Sequence, residues 1–117
     1  MKRWFKSRLG DMGESIRLLR EARSGVQANG RLRAVVEVVE VSRTGSDWAL
    51  RGFDPNSLPL KNALGDSRAS AARLEAIVAL ETPPNATMQL IKDKLLSNSA
   101  NLHWSPTKGK ILIIDMQ

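Results

Sequence analysis

Residues 31–43, RLRAVVEVVEVSR, decide the fold, because they hold five valines within seven consecutive positions. β-branched side chains favour extended backbone, so this run predicts a strand. Val36 and Val38 would lie on one face of that strand, whereas Val39 and Val41 would lie on the other. The change of phase predicts either a bulge near residues 38–39 or a strand that is buried on both faces.

The chain that follows this strand predicts a hairpin and then less regular structure. Residues 44–47 have the composition of a turn and lead into a second strand at residues 48–53, which we expect to be antiparallel to the first. Residues 54–57 form another turn. Residues 58–67 are predicted to be irregular, because a proline and a glycine interrupt them.

Residues 68–81 fit two interpretations. Every second residue from Leu74 to Leu80 is apolar, which is typical of a strand, whereas Ala71, Leu74 and Ile77 have the spacing of a helix. We favour a strand over residues 73–81. The prolines at positions 83 and 84 end the element in either case.

The last third of the chain predicts a helix and a second hairpin. Asn85 is a suitable N-cap, and Met88, Ile91 and Leu95 have the spacing of one helical face, so we expect a helix over residues 86–98. Residues 101–105 and 110–116 predict two strands, joined by a loop with the sequence PTKG.

The N-terminal part predicts a long amphipathic helix behind a short basic segment. Apolar residues recur at intervals of three and four from Phe5 to Val26, with glycines at positions 10 and 13. Asp11 has the capping-box spacing to Glu14, and we expect Gly25 to end the helix, which gives a helix over residues 12–24.

Together these elements predict an α+β fold: a compact single domain with a mainly antiparallel sheet and two helices, one N-terminal and one at about residues 86–98. A chain of 117 residues has room for one core. We therefore divide it into a basic aromatic N-terminal segment, residues 1–10, and one globular domain, residues 11–117.

The positive charge is confined to the start of the chain. The net charge is +6, and all of this excess lies in the first 33 residues, which hold nine Lys and Arg against three Asp and Glu. A charge concentrated in this way predicts a surface for a polyanion. The predicted polyanion-binding residues are Lys2, Arg3, Lys6, Arg8, Arg17, Arg20, Arg23, Arg31 and Arg33.

Few residues in the sequence suit catalysis. Cysteine and tyrosine are absent, and His103 is the single histidine. The carboxylates outside the N-terminal region are scattered singly, mostly in turns, where they usually bond their own backbone. We expect no enzymatic activity, no cofactor, no metal site and no small-molecule substrate, and we expect His103 to pack on the sheet and bond locally.

The N-terminal segment combines its cations with three apolar residues, Trp4, Phe5 and Leu9. At a bilayer these side chains would insert, and on single-stranded nucleic acid the aromatic ones would stack on bases. The layout of the chain is similar in outline to that of peripheral membrane and matrix-type assembly proteins.

The leading hypothesis is therefore a non-enzymatic structural or adaptor protein that docks on an anionic surface. The surface that we favour is a membrane. The alternative is a protein that binds RNA or DNA without sequence specificity through the same residues. We expect the protein to be cytoplasmic. If the anionic surface is a membrane, we expect the protein to bind it peripherally. An edge strand at residues 48–53 or 110–116 could extend the sheet across a homo-oligomer.

Overall fold

The elements come from a computed structural model that describes the backbone of residues 12–44, 47–51 and 54–116, and the side chains of residues 17–40 and 54–114. In chain order they are α1 Met12–Ala28, α2 Gly30–Arg33, β1 Val36–Thr44, β2 Asp47–Arg51, β3 Leu58–Pro59, α3 Leu60–Ala63, α4 Ser67–Ala79, α5 Ala86–Ser97, β4 Leu102–Ser105 and β5 Lys110–Met116. None of the helices in this part of the chain is long and apolar enough to span a bilayer.

The valine run forms β1, near the middle of the sheet. β1 pairs in parallel with β5 in an unbroken register from Val36 opposite Ile111 to Val41 opposite Met116. No bulge interrupts this stretch of the ladder. Val36 is buried in the main core and Val39 in a second cluster with Leu112, so the phase change reflects a strand buried on both faces.

The described strands form one mixed sheet in the order β2-β1-β5-β4-β3. Three of its four strand pairings are antiparallel, and β1 with β5 is the parallel one. The predicted α+β class is confirmed. The predicted hairpin between β1 and β2 is also present. Residues 110–116 form a central strand bonded on both sides, so their prediction as an edge strand is wrong, whereas β2 does lie at an edge.

The helices pack on one face of the sheet and build the main core. Each of the five described helices contributes at least one buried side chain to this core, and β1, β4, β5 and Leu80 at the C-cap of α4 contribute the others. The largest of these side chains are the fully buried ones, which are Trp104, Leu32, Leu60, Leu80, Met88, Ile91, Leu95, Leu102, Ile111 and Ile113. Both predicted helices are therefore present, together with three others.

α1 is longer than the sequence predicted, because Gly25 does not end it. The helix continues to Ala28, and Gly25 faces Met88 of α5 so closely that a Cβ there would overlap the Met88 side chain. The glycine permits close contact between two helices rather than a left-handed cap.

The helix ends before Asn29, whose side-chain oxygen accepts from the N–H of Leu32 at 3.0 Å and caps α2. Residues 31–33 are therefore helical, and the strand begins five residues later than predicted.

The strand predicted over residues 73–81 is wrong, because residues 67–79 form α4. The buried positions within α4 are Ala69, Ala72 and Ala76, a helical stripe of small residues, and Leu80 at its C-cap is buried as well. Leu74, which supported both interpretations of the sequence, is 63% exposed. Alanines carry little weight in a search for apolar periodicity, which is why this stripe was missed.

The C-terminal elements agree with the sequence prediction. Asn85 caps α5 by accepting from the N–H of Met88 at 3.0 Å, and Asn98 ends the helix in a left-handed conformation. β4 and β5 form the predicted hairpin, in which Gly109 has a φ of 65°. Residues 58–67, predicted to be irregular, contain the short elements β3 and α3. Residues 1–10, and the end of the predicted strand at residues 52–53, lie outside the described residues.

Candidate anion-binding face

Three of the five predicted arginines on α1 and α2 are engaged in ion pairs. Arg17 pairs with Glu21, four residues along α1. Arg23 reaches Glu40 of β1, with 3.6 Å between Nη2 and Oε2. These contacts join α1 to itself and to the sheet. Half-exposed pairs of this kind stabilise a fold only slightly, but they neutralise the charge that each arginine would offer to an anion.

Arg31 is paired as well, and its partner lies on α4. Its guanidinium donates two hydrogen bonds to the carboxylate of Glu75, through Nε to Oε1 and through Nη2 to Oε2 at 3.4 Å. The hydrogen bond and the charge of Arg31 lower the pKa of Glu75, and those of Glu75 raise the pKa of Arg31. Arg31 therefore links α2 to α4, and its charge is matched.

Arg20 and Arg33 are the two predicted arginines that have no acidic partner among the described residues. Both are exposed. Arg33 lines a groove of about 410 Å³, together with Gln27, Gly30, Ala34, Val36, Glu37 and Lys110. The groove lies where the end of α1, the short helix α2 and the starts of β1 and β5 meet.

The parallel pairing of β1 and β5 brings Lys110 to this groove. The N–H of Ile111 donates to the carbonyl of Val35 at 2.8 Å, which fixes the start of β5 beside the end of α2. Lys110 is therefore held close to Arg33 although 77 residues separate the two in the sequence. Lys110, like Arg33, has no acidic partner among the described side chains.

The groove also contains one carboxylate, and it is neutralised. Glu37 accepts from the ammonium group of Lys108, with 2.6 Å between Nζ and Oε2. Because this pair carries no net charge, the formal charge that remains among the described residues lining the groove is that of Arg33 and Lys110. The groove is thus a positively charged, shallow site, built from residues 27–37 and from Lys110.

Arg20 lies on the same side of α1 as the groove. It precedes Gln27, a groove residue, by seven positions, which is two turns of helix. We call Arg20, Arg33 and Lys110 the basic face. The sequence analysis identified Arg20 and Arg33 but missed Lys110. The one available signal was a basic hairpin loop, and only the strand pairing shows which surface it joins.

Comparison of the chain with protein-family models, with curated proteins and with solved structures finds no match. The assignment of this face therefore depends on the geometry and charge of the chain itself.

A separate polar cluster surrounds His103 and Asp54. Ser57 Oγ lies 3.2 Å from Nδ1 of His103, and Ser105 Oγ donates to the buried carboxylate of Asp54 at 2.8 Å. The N–H of Asn56 donates to the same carboxylate and is the main reason that the pKa of Asp54 is lowered, followed by Ser105 and Thr107. Partial burial lowers the pKa of His103.

These contacts fasten the turn at residues 54–57 to β4. Asp54 accepts from the backbone of its own turn and from a serine of β4, as turn aspartates commonly do. Within the described residues, no group of three or more His, Asp or Glu side chains is placed to hold a metal ion. The other predicted site residues, Lys2, Arg3, Trp4, Phe5, Lys6, Arg8 and Leu9, lie outside the described part of the chain.

Proposed function

We propose that this protein is a non-enzymatic assembly or adaptor protein that docks on an anionic membrane through its N-terminal segment and its basic face. The observation that carries the proposal is the division of the arginines. Ion pairs match the charges of Arg17, Arg23 and Arg31, whereas Arg20 and Arg33 are unmatched and Lys110 joins them.

The number of available cations gives an attraction of useful size. Each Lys or Arg near an anionic leaflet contributes about 1 kcal/mol, so the three residues of the basic face contribute about 3 kcal/mol. The four cations of residues 1–10 would add to this. Trp4 and Phe5 would add a component that salt does not screen, because it comes from burial of apolar surface in the bilayer.

The remainder of the domain would supply the surface for assembly. β2 lies at an edge of the sheet, where another strand could pair with it and extend the sheet into a second copy of the chain. A homo-oligomer formed in this way would repeat the basic face and raise the affinity for a membrane through multivalency.

The experiment measures binding of the full chain to three surfaces: vesicles of phosphatidylcholine with phosphatidylserine, duplex RNA and single-stranded RNA. We expect vesicle binding, and we expect Trp4→Ala with Phe5→Ala to weaken it and to make the remainder fully sensitive to salt. Leu74→Ala, which removes an apolar side chain that is 63% exposed on α4, is the matched control and should bind as the wild type does.

Binding to either RNA at physiological salt, with no vesicle binding above background, would contradict the membrane proposal. The sequence-nonspecific nucleic-acid alternative would then replace it, because the same cations would neutralise backbone phosphates.

A further inference from the structure

The groove between α2 and β5 differs from a diffuse basic surface in its shape. It is a shallow, open groove rather than an enclosed cavity, and its volume of about 410 Å³ is large enough to hold a small anion. Its lining residues include Gln27 of α1, Arg33 of α2 and Lys110 of β5, so side chains that can donate hydrogen bonds come from three different elements. A flat surface could attract an anion, but a groove with donors on several sides can also orient one.

We infer that this groove binds a terminal phosphate group, either that of a phosphate monoester or inorganic phosphate, with Arg33 and Lys110 as its principal ligands. The group has two possible sources, a monoester phosphate on a lipid headgroup and free phosphate. The inference rests on the proposed function only for the lipid source. The shared chemistry is a terminal phosphate with three oxygens that accept hydrogen bonds.

The charge of the groove fits this group. A phosphate monoester carries about −1.5 to −2 at neutral pH. Arg33 and Lys110 together offer +2, since Glu37 is already matched by Lys108. A phosphodiester carries a single negative charge and would leave one of the two cations unmatched. The groove is thus expected to prefer monoesters.

The two cations have complementary geometries. A guanidinium presents a planar fork of N–H donors that can bind two phosphate oxygens at once, whereas an ammonium acts as a compact point charge. Arg33 lies at the end of α2 and Lys110 at the first position of β5, and the bond from Ile111 N–H to Val35 O holds these elements together. Part of the cost of bringing the cations together is therefore met by folding.

The first arm of the test uses inorganic phosphate and the full-length protein. We expect saturable changes in the amide NMR signals of Gly30, Ala34 and Lys110 at constant ionic strength. Lys110→Gln should weaken the fitted phosphate affinity at least fivefold, and Arg33→Gln should do the same.

Lys61→Gln is the matched control for this arm. Lys61 is an exposed lysine of α3 with no ion pair among the described residues. α3 contacts β3 and β4, which lie toward the opposite edge of the sheet from β2 and β1. The substitution changes the net charge by the same amount. If Lys61→Gln and Lys110→Gln weaken phosphate binding equally, or if the wild type shows no saturable change, the inference is overturned.

The second arm identifies the source of the phosphate and separates this inference from the proposed function. Vesicles with phosphatidic acid are compared with vesicles of equal surface charge that contain phosphatidylglycerol. A preference for phosphatidic acid that Lys110→Gln abolishes supports the inference and assigns the lipid source. Saturable phosphate binding without any vesicle binding supports the inference with free phosphate as the source, and the proposed membrane function then fails alone. Vesicle binding without a saturable phosphate site overturns the inference alone.

Discussion

The cations on α4 and α5 and the cations of the basic face have opposite roles. Arg73 of α4 donates to the carbonyls of Leu95 and Leu96, at 3.1 and 3.3 Å, near the C-terminal end of α5. Lys92 donates to the carbonyl of Glu81, and Arg68 bonds to Asp66 and lies over the ring of Trp104. Arg20, Arg33 and Lys110 have no such partner among the described residues.

The difference shows why the number of basic residues does not by itself locate a binding surface. Arg73 satisfies carbonyls that α5 leaves without partners at its end, and Lys92 and Arg68 bond to other groups of the fold, so binding an anion would compete with contacts that hold the fold. On the basic face an anion would displace no ion pair of Arg20, Arg33 or Lys110 among the described residues. The engagement of each cation, rather than its position in the sequence, decides whether it is available.

The largest expected effect comes from removing the basic face as a whole. Arg20→Gln, Arg33→Gln and Lys110→Gln together should lower the affinity for phosphatidylserine vesicles on the order of 100-fold, because each cation contributes about 1 kcal/mol. The control combines Arg68→Gln, Arg73→Gln and Lys92→Gln, which removes the same charge. A co-sedimentation assay at physiological salt checks both, and equal losses would show that the distinction between the two sets is wrong.

The next effect concerns the free energy of unfolding and the cations of α4 and α5. Arg73→Gln should lower the free energy of unfolding by about 1–3 kcal/mol, because two carbonyls at the end of α5 lose hydrogen bonds to a charged group. Urea denaturation measures the loss. Arg33→Gln serves as the control and should leave stability within about 0.5 kcal/mol of the wild type, as is usual at exposed positions without partners. A larger loss for Arg33→Gln than for Arg73→Gln would reverse their assigned roles.

Three features that the sequence predicted correctly depend on local signals. The valine run, the Asn85 cap and the hairpin around Gly109 depend on neighbouring residues, and all three are present. The failure at α4 has a physical reason: its buried face consists largely of alanines, whose small side chains are apolar without marking a face clearly. Gly25 was misread for a similar reason, since its role depends on Met88, which is 63 residues away.

The candidate site was predictable only in part. The charge asymmetry of the sequence pointed to the N-terminal third, and Arg20 and Arg33 do belong to the face that we propose. Distinguishing these two from Arg23 and Arg31 requires the positions of Glu40 and Glu75, which lie on other elements. Lys110 enters the site through a parallel strand pairing between distant segments, and the sequence analysis contained no signal for that pairing.

A smaller effect is expected from pH, and it involves the polar cluster at residues 54–57 and β4 rather than the basic face. Burial lowers the pKa of His103, so the unfolded chain takes up a proton more readily than the folded one. The free energy of unfolding should therefore fall as the pH drops below the ordinary histidine pKa of 6.5. The pKa of Asp54 is also lowered, and its contribution is present above 3.8 and lost as the pH falls below that value.

Thermal unfolding between neutral and acidic pH measures both steps. His103→Gln should remove the upper step and keep the lower one. Asp54→Asn should keep the upper step and make the lower one smaller, because the pKa values of Asp66 and Glu75 are lowered as well and contribute to the same step. If His103→Gln leaves the upper step unchanged, a different group produces it, and the description of the cluster is wrong.

The most direct test compares two arginines that lie three residues apart on α1. Arg17→Gln and Arg20→Gln change the net charge equally, but Arg17 is matched by Glu21 and Arg20 has no acidic partner among the described residues. The measurement is the affinity of each full-length variant for phosphatidylserine vesicles at physiological salt. We predict that Arg20→Gln lowers the affinity about fivefold, which corresponds to about 1 kcal/mol, and that Arg17→Gln lowers it less than half as much in free energy. Equal losses in the two variants would contradict the account, because they would mean that net charge alone governs binding.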